Sequence, residues 1–299
     1  MTANALPLPM TTSAQGLKPP RRPAQFSKFF GYLHRFEPLA AAALGIRDII
    51  TTDGDSDFLI QKQTVLAFDA NGVRRGDKVR FEVSPLQEGF MSAPTFLSAF
   101  GSGRFPWVMA PVPIRLPRRG QFVCIADSRN VAQHAGGTTI YIAHLGAKVY
   151  QAPILPAHGY QLAKDFWALM DLTAQGDGTI PANSTRTVTY VTDDTSDYEI
   201  RKLAIVADAA ITINFQTVND NWFARPLRGE LLGASLIETT PATVPMFSGE
   251  LPFILPAPRI IMGGNYLSVT VNNLDTVNAI RCQVVMWGER LYPAAPPLI

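Results

Sequence analysis

The sequence predicts a mainly β chain made of two tandem, similar antiparallel β-sandwich units of jelly-roll-like type, with an extended N-terminal arm and a short linker helix. Three observations carry that expectation: short runs with apolar residues at period two, turn clusters between the runs, and an internal repeat at an offset of about 140 residues. With 299 residues, of which 47% are hydrophobic, the chain can bury one large core or two modest ones, which excludes disorder over most of its length.

Residues 1–25 form the arm. They lack periodicity, hold five prolines and carry the basic knot Lys18-Pro19-Pro20-Arg21-Arg22-Pro23. Such a segment tends to polyproline II or disorder and is expected to order along a neighbouring subunit on assembly. Met1 to Gln15 has neither a positive n-region nor an apolar h-region and does not read as a secretory signal. The longest apolar stretch, Leu39 to Ile46, is too short to cross a bilayer as a helix.

Residues 26–151 are expected to be the first sandwich, entered by a short helix. Ser27 to Leu44 carries Phe29, Phe30, Leu33, Phe36 and Leu39 at roughly helical spacing until Pro38 interrupts it. Val79-Arg80-Phe81-Glu82-Val83 alternates as a strand, and Asp69-Ala70-Asn71-Gly72 reads as a turn. Residues 152–185 are expected to be a helical linker, because Leu162, Phe166, Leu169 and Met170 fall along one face of a helix over Tyr160 to Leu172. Residues 186–299 are expected to be the second sandwich, with alternating strands at Thr187 to Thr192 and Ile211 to Phe215 and further strands at Tyr266 to Val271 and Cys282 to Trp287.

The repeat has three blocks in the same order. Thr52 to Lys62 matches Thr192 to Lys202 with six of eleven positions identical, at an offset of 140. Gly120 to Ala126 matches Gly264 to Thr270 at 144, each after a proline-rich apolar run, Pro106 to Pro113 and Pro252 to Pro258. Ile140 to Tyr150 matches Cys282 to Tyr292 at 142, both ending Gly, any residue, basic, aliphatic, Tyr.

Strings that suggest chemistry lack their partners. Gly54-Asp55-Ser56-Asp57 resembles the Gly-Asp-Ser block of GDSL-type serine hydrolases, but no Asp-x-x-His exists and no histidine follows His158. The shared Thr-Asp-x-x-Ser-Asp element reads instead as a polar turn in which Asp and Ser side chains bond the following backbone. Asp53, Asp55 and Asp57 alternate like the first ligands of a calcium loop, without the glycine and glutamate that complete one. Arg75-Gly76-Asp77 reads as a hairpin loop. The glycines at 101, 103, 263 and 264 fit neither a dinucleotide fingerprint nor a P-loop. Cys124 and Cys282, with four scattered histidines, offer no zinc spacing. No cofactor, metal or catalytic residue is expected.

A net charge of +2 provides no field for a polyanion, so no specific nucleic-acid partner is expected. The charged fraction of 17% lies below the roughly 25% usual for soluble domains and suits a surface covered by neighbours. The one expected recognition loop is Asn219-Asp220-Asn221-Trp222-Phe223, where Asn219, Asn221, Trp222 and Phe223 read as exposed.

The proline-rich strand, the Gly-led strand and the closing Gly-x-basic-aliphatic-Tyr strand together resemble late virion proteins of tailed phages. The gross plan of two linked sandwiches is also that of double jelly-roll capsid proteins. The resemblance implies a non-enzymatic virion protein of a capsid, neck, collar or decoration layer, assembled in the host cytoplasm. It would form homo-oligomers and meet other virion proteins such as portal, capsid or tail components. The alternative is a glycan- or receptor-binding sandwich of a fibre or lectin-like protein.

Overall fold

A computed structural model describes residues 26–40, 43–69, 79–85, 95–96, 107–108, 113–128, 137–152, 160–172, 179–218, 220–232, 235–236 and 252–293. The knot from Lys18 to Pro23, with the rest of residues 1–25, lies outside the described residues, as does Asn219.

The first half contributes β1 (Ser27–Leu39), β2 (Ile46–Thr51), β3 (Ser56–Asp69), β4 (Val79–Pro85), β5 (Thr95–Phe96), β6 (Trp107–Val108), β7 (Ile114–Leu116), β8 (Gln121–Ser128) and β9 (Thr138–Tyr150). They form one sheet in the order β1-β9-β3-β6, with β7 also on β3, and a second in the order β2-β8-β4-β5. The second half contributes β10 (Tyr160–Asp171), β11 (Thr185–Val191), β12 (Asp197–Ala207), β13 (Ile211–Thr217), β14 (Asp220–Asn221), β15 (Leu227–Arg228), β16 (Ser235–Leu236), β17 (Phe253–Ile261), β18 (Tyr266–Asn273) and β19 (Cys282–Pro293). Its sheets run β10-β19-β12-β16, with β17 also on β12, and β11-β18-β13-β14, with β15 also on β13. In both halves the first, third and last strands share one sheet, while the second, fourth, fifth and penultimate strands share the other. Chain crossing between two facing antiparallel sheets in this order is jelly-roll wiring.

Both segments with helical apolar spacing are strands, which corrects the expected entry helix and the helical linker at 152–185. Ser27–Leu39 pairs along β9, and Tyr160–Asp171 pairs along β19, so β10 opens the second pair of sheets. Phe30, Tyr32 and Phe36 of β1 face the core between the first two sheets, whereas Phe29 and Leu33 pack into the core of the second half. Burial on both faces puts apolar residues at consecutive positions and erases the period-two signal. Among the described residues the only helical element is the 3-10 turn Gly229–Leu232.

One core lies between the first two sheets, where Phe58, Ile60, Ile140 and Ile142 meet Phe122, Cys124 and Ala126. The other holds Ile200, Ile205, Val284 and Met286 against Ile213, Phe215, Leu267 and Val269, and it extends through Phe29, Leu33, Leu66 and Leu145 into the first half.

Fine details recur between the halves. The β3–β9 register shifts between Ile60 and Lys62, and the β12–β19 register shifts between Ile200 and Lys202. The extra residue at each bulge, Gln61 or Arg201, switches which alternate positions point inward: Phe58 and Ile60 before it, Val65 and Ala67 after; Tyr198 and Ile200 before it, Leu203 and Ile205 after. A polar corner also recurs. Thr52 Oγ1 donates to the Pro117 and Gly120 carbonyls at 2.7 and 3.1 Å, and Thr192 Oγ1 to those of Met262 and Asn265 at 2.7 and 2.9 Å. Asp57 accepts the Arg118 N–H at 3.0 Å, and Asp197 accepts the Gly263 N–H at 2.8 Å. These carboxylates therefore tie down the turn entering the next sheet rather than the backbone that follows them. Each of those turns needs one left-handed residue, Arg119 at φ 56° and Gly264 at φ 73°.

The corner also adjusts the alignment of the second repeat block by one residue. Gly120 corresponds to Asn265, so buried Phe122 aligns with buried Leu267 rather than with exposed Tyr266.

Candidate assembly face

The outer face of the β1-β9-β3 sheet is covered by the second half of the chain. Gly31 donates its N–H to the Trp222 carbonyl at 3.1 Å and accepts the Ala224 N–H at 3.0 Å. A side chain at Gly31 would press on Leu145 and Phe223, each 2.9 Å from its β-carbon, so glycine is what lets the two backbones meet. Phe29 packs edge to face on Trp222 and Phe223. Lys62 Nζ donates to the Ile254 carbonyl at 2.6 Å, and Thr64 Oγ1 to that of Leu231 at 3.3 Å. At the border, Asp220 receives both Lys28 of β1, at 2.8 Å, and Arg259 of β17, at 2.5 Å. Burial opposes ionisation of Asp220, but these two cations hold its carboxyl below the usual range.

This contact corrects the expected recognition loop. Trp222 has no exposed surface and Phe223 is 2% exposed. Trp222 stacks on Phe215 at 4.9 Å with the rings 18° apart, and the Arg259 guanidinium lies 5.1 Å from its ring. Asn221 is exposed, but its carbonyl accepts from Arg259 at 3.4 Å. The aromatic pair after a polar turn is thus the plug between the two halves. Composition alone could not distinguish a buried plug from an exposed platform.

Among the described residues, the matching face of the β10-β19-β12 sheet is open around Trp167 and Leu169, while Val285 and Trp287 are half-buried and Ala204 is buried. Strand registers put Trp167, Trp287 and Lys202 in one row, where the first half has Gly31, Leu145 and Lys62. The next row is Leu169, Val285 and Ala204, in place of Leu33, Ala143 and Thr64. Trp167 is 68% exposed, Leu169 58% and neighbouring Ile254 56%. The Trp167 and Trp287 rings meet edge to face at 6.0 Å. Two differences from the covered face stand out. Trp167 replaces the glycine through which backbone approaches backbone, and Asp165 and Glu289 replace Phe29 and Ala147. The sequence signal for this face is the alternation of Trp167 and Leu169 with the inward Ala168 and Met170, which the apolar spacing of Leu162, Phe166, Leu169 and Met170 masks as a helix.

Arg75-Gly76-Asp77, Gly101 and Gly103 lie outside the described residues, whereas the carboxylates of the Thr52 to Lys62 block have structural partners. Asp53 pairs with Lys148, Asp57 with Arg115, and Asp55 accepts the Ser56 hydroxyl at 2.9 Å. The Arg115 guanidinium holds the Asp57 carboxyl below its ordinary value. The Lys148–Asp53 pair is matched by Arg290–Asp193 at 2.6 Å. Each cation lies over an aromatic ring, Lys148 over Phe30 at 3.6 Å and Arg290 over Phe166 at 3.9 Å. Among the described residues, no three His, Cys, Asp or Glu side chains are placed to hold a metal ion, and no helix is long and apolar enough to cross a membrane. Cys124 and Cys282 are buried and unbridged, and burial pushes the Cys282 thiol up to about 12.

No protein-family model matches the chain, and no curated protein matches it. Among solved structures, the STIV MCP aligns over 88% of this chain and 97% of its own, with 8% identity and a TM-score of 0.25. A223, a turret protein in Sulfolobus turreted icosahedral virus, aligns over 88% and 98%, with 8% identity and a TM-score of 0.18. The CBM22-1–CBM22-2 tandem of Paenibacillus barcinonensis Xyn10C aligns over 87% and 86%, with 11% identity and a TM-score of 0.18. These neighbours do not single out tailed phages, and at TM-scores this low the likenesses assign no function.

Proposed function

We propose that the chain is a non-enzymatic structural subunit of a virion, built as two tandem jelly-roll units, which self-associates through the exposed face around Trp167, Leu169 and Trp287. One observation carries this reading. The corresponding face of the first half is covered, within the chain, by the second half. The open face is then covered by the first half of a second copy, and the contact repeats from copy to copy. A closed ring of three copies presents six similar sandwiches, so an odd number of chains fills an even-fold position. Trp167 in place of Gly31 keeps the backbones apart, so the contact between copies is made by side chains and forms after each chain has folded. The low charge suits a surface largely covered by protein neighbours, and the arm around Lys18 to Pro23 fastens to an adjacent subunit. The layer is a phage capsid, collar or decoration layer, assembled in the host cytoplasm beside other virion proteins. The subunit's role is geometric, and no bond is made or broken.

Light scattering on the purified full chain tests the reading. The expected result is a discrete oligomer at high micromolar concentration that falls to monomer in Trp167→Asp, with the far-ultraviolet circular dichroism unchanged. A wild-type chain that stays monomeric at every concentration overturns it. A wild-type monomer whose glycan-array binding is lost in Trp167→Asp favours the glycan-binding alternative instead.

A further inference from the structure

Three polar side chains sit among the apolar residues of the first core. His34 on β1 and His144 on β9 have no exposed surface. Their rings meet edge to face with centroids 5.3 Å apart, and the Phe122 ring lies 4.9 Å from one and 5.0 Å from the other. Asp48, on β2 of the facing sheet, places Oδ2 3.0 Å from His34 Nδ1 and keeps 28% of its side chain exposed. His34 Nε2 and both ring nitrogens of His144 have no hydrogen-bond partner among the described residues. Unpartnered buried nitrogens oppose folding, so their presence asks for a reason.

The second half supplies an internal control. Phe30 and Phe166 each face the bulge glycine across the sheet, and four residues on stand His34 and Met170. Two residues before those glycines, Gly146 and Gly288, stand His144 and Met286. Four residues before the corner threonines, Thr52 and Thr192, stand Asp48 and Val188. Met170 and Met286 are buried, and Val188 packs on the same core. The wiring, bulge and corner therefore form with no polar atom at these three positions, and the fold does not require the histidines.

We propose that His34, His144 and Asp48 form an acid-sensitive latch that loosens the first sandwich while the second stays closed. Burial favours the neutral form of both rings and pushes both below the ordinary histidine value, His144 furthest. On acidification His34 takes the first proton, because the Asp48 carboxylate is there to pair with it. Arg225, reaching from the second half, opposes that step. The neighbours across the strand pairings are Tyr32 and Gln63 beside His144 and Cys124 beside Asp48, and none of them is an anion at neutral pH. His144 then faces an imidazolium with no carboxylate of its own, so a second proton is accommodated only when its ring leaves the core. In the opened state both rings titrate near about 6.5. Below that pH the opened state binds more protons than the closed one, so acid favours opening. The gain is at most about tenfold per pH unit for each ring, or about a hundredfold for the pair.

Hydrogen exchange read by mass spectrometry on the full chain, corrected for the intrinsic effect of pH on exchange, tests this between about pH 7.5 and about pH 5. The expected result is that β1 and β9 lose at least tenfold more protection than β10 and β19. In His34→Met/His144→Met, the residue types of the second half, that difference disappears. Equal loss in the two halves of the wild type overturns the proposal, and so does a difference that persists in the double variant. The wild-type series and the single variant His144→Met keep it testable should the double variant fail to fold. The comparison is between two halves of one chain, so it stands whether or not the assembly reading holds.

Discussion

Gly146 lies so close to the Leu59 carbonyl across the β3–β9 ladder that a β-carbon there would overlap its oxygen, and Gly288 repeats the relationship with Glu199. Both glycines face a bulge that turns backbone toward them, so the requirement is steric and comes from the opposite strand. Gly146→Ala and Gly288→Ala are expected to lose about 1–3 kcal/mol each, the range for overpacking a tight site. Gly54→Ala should lose less, since its nearest neighbour is the flexible end of the Arg119 side chain. Urea unfolding midpoints of the three variants check this, and a Gly54 variant as damaged as the other two would count against a bulge-specific cause.

Trp222→Ala is expected to act on stability. The indole fills the space between Phe215, Phe29 and Arg259, so its removal leaves a large cavity between the halves and an uncovered buried guanidinium. The expected loss is about 3–5 kcal/mol, against little change for Trp167→Ala on the open face. Thermal unfolding of the two variants separates them; equal midpoints would mean that Trp222 does not hold the halves together.

How much of this could be read in advance follows from where each residue's neighbours come from. The Thr-Asp-x-x-Ser-Asp block, the Gly-x-basic-aliphatic-Tyr ending and the alternation at Thr187 to Thr192 are local signals, and they located the β-units and their repetition. β1 does not read as a strand because the residues that bury Phe29 and Leu33 come from the other half of the chain, and one strand's sequence does not reveal a second covered face; β10 does not because its exposed face carries Trp167 and Leu169 beside the inward Ala168 and Met170, which again puts apolar residues at consecutive positions. The burial of Trp222 is not legible in the sequence for the same reason as that of Phe29: the exposure of a loop aromatic depends on what docks on it. The His34–His144–Asp48 trio joins three strands, two from one sheet and one from its partner, and no spacing in the chain announces it.

Lys62 makes stability depend on alkaline pH. Burial beneath the second half pushes its ammonium down to about 8, from an ordinary 10.5. Below pH 8 the folded and unfolded chains both carry the proton, and the burial cost is fully present. Between about 8 and 10.5 the folded chain has released a proton that the unfolded chain still holds, so stability rises with pH across that window. The buried tyrosines Tyr32, Tyr150 and Tyr198 are shifted upward and act in the opposite sense at higher pH, so the series ends near pH 9.5. Urea midpoints from about pH 7 to about pH 9.5 should climb in the wild type and stay flatter in Lys62→Met; parallel slopes would assign the rise to other groups.

Lys202 gives the sharpest test of how copies would meet. Its counterpart Lys62 reaches out of the covered sheet and donates to the Ile254 carbonyl in β17 of the second half. The registers place Val108 opposite Lys62 and Ile254 opposite Lys202, which makes Val108 the first-half counterpart of Ile254. Lys202 is exposed. Under the assembly reading its ammonium points at a second copy as Lys62 points at β17, so its target is the backbone near Val108 of that copy. A photo-crosslinking residue at position 202 is therefore expected to join two copies, with the adduct mapped to the segment around Trp107 and Val108. Trp167→Asp on the same chain should abolish the product. An adduct that maps back to the second half would mean that the open faces meet each other in a two-fold contact, which cannot propagate from copy to copy in the way the covered face predicts.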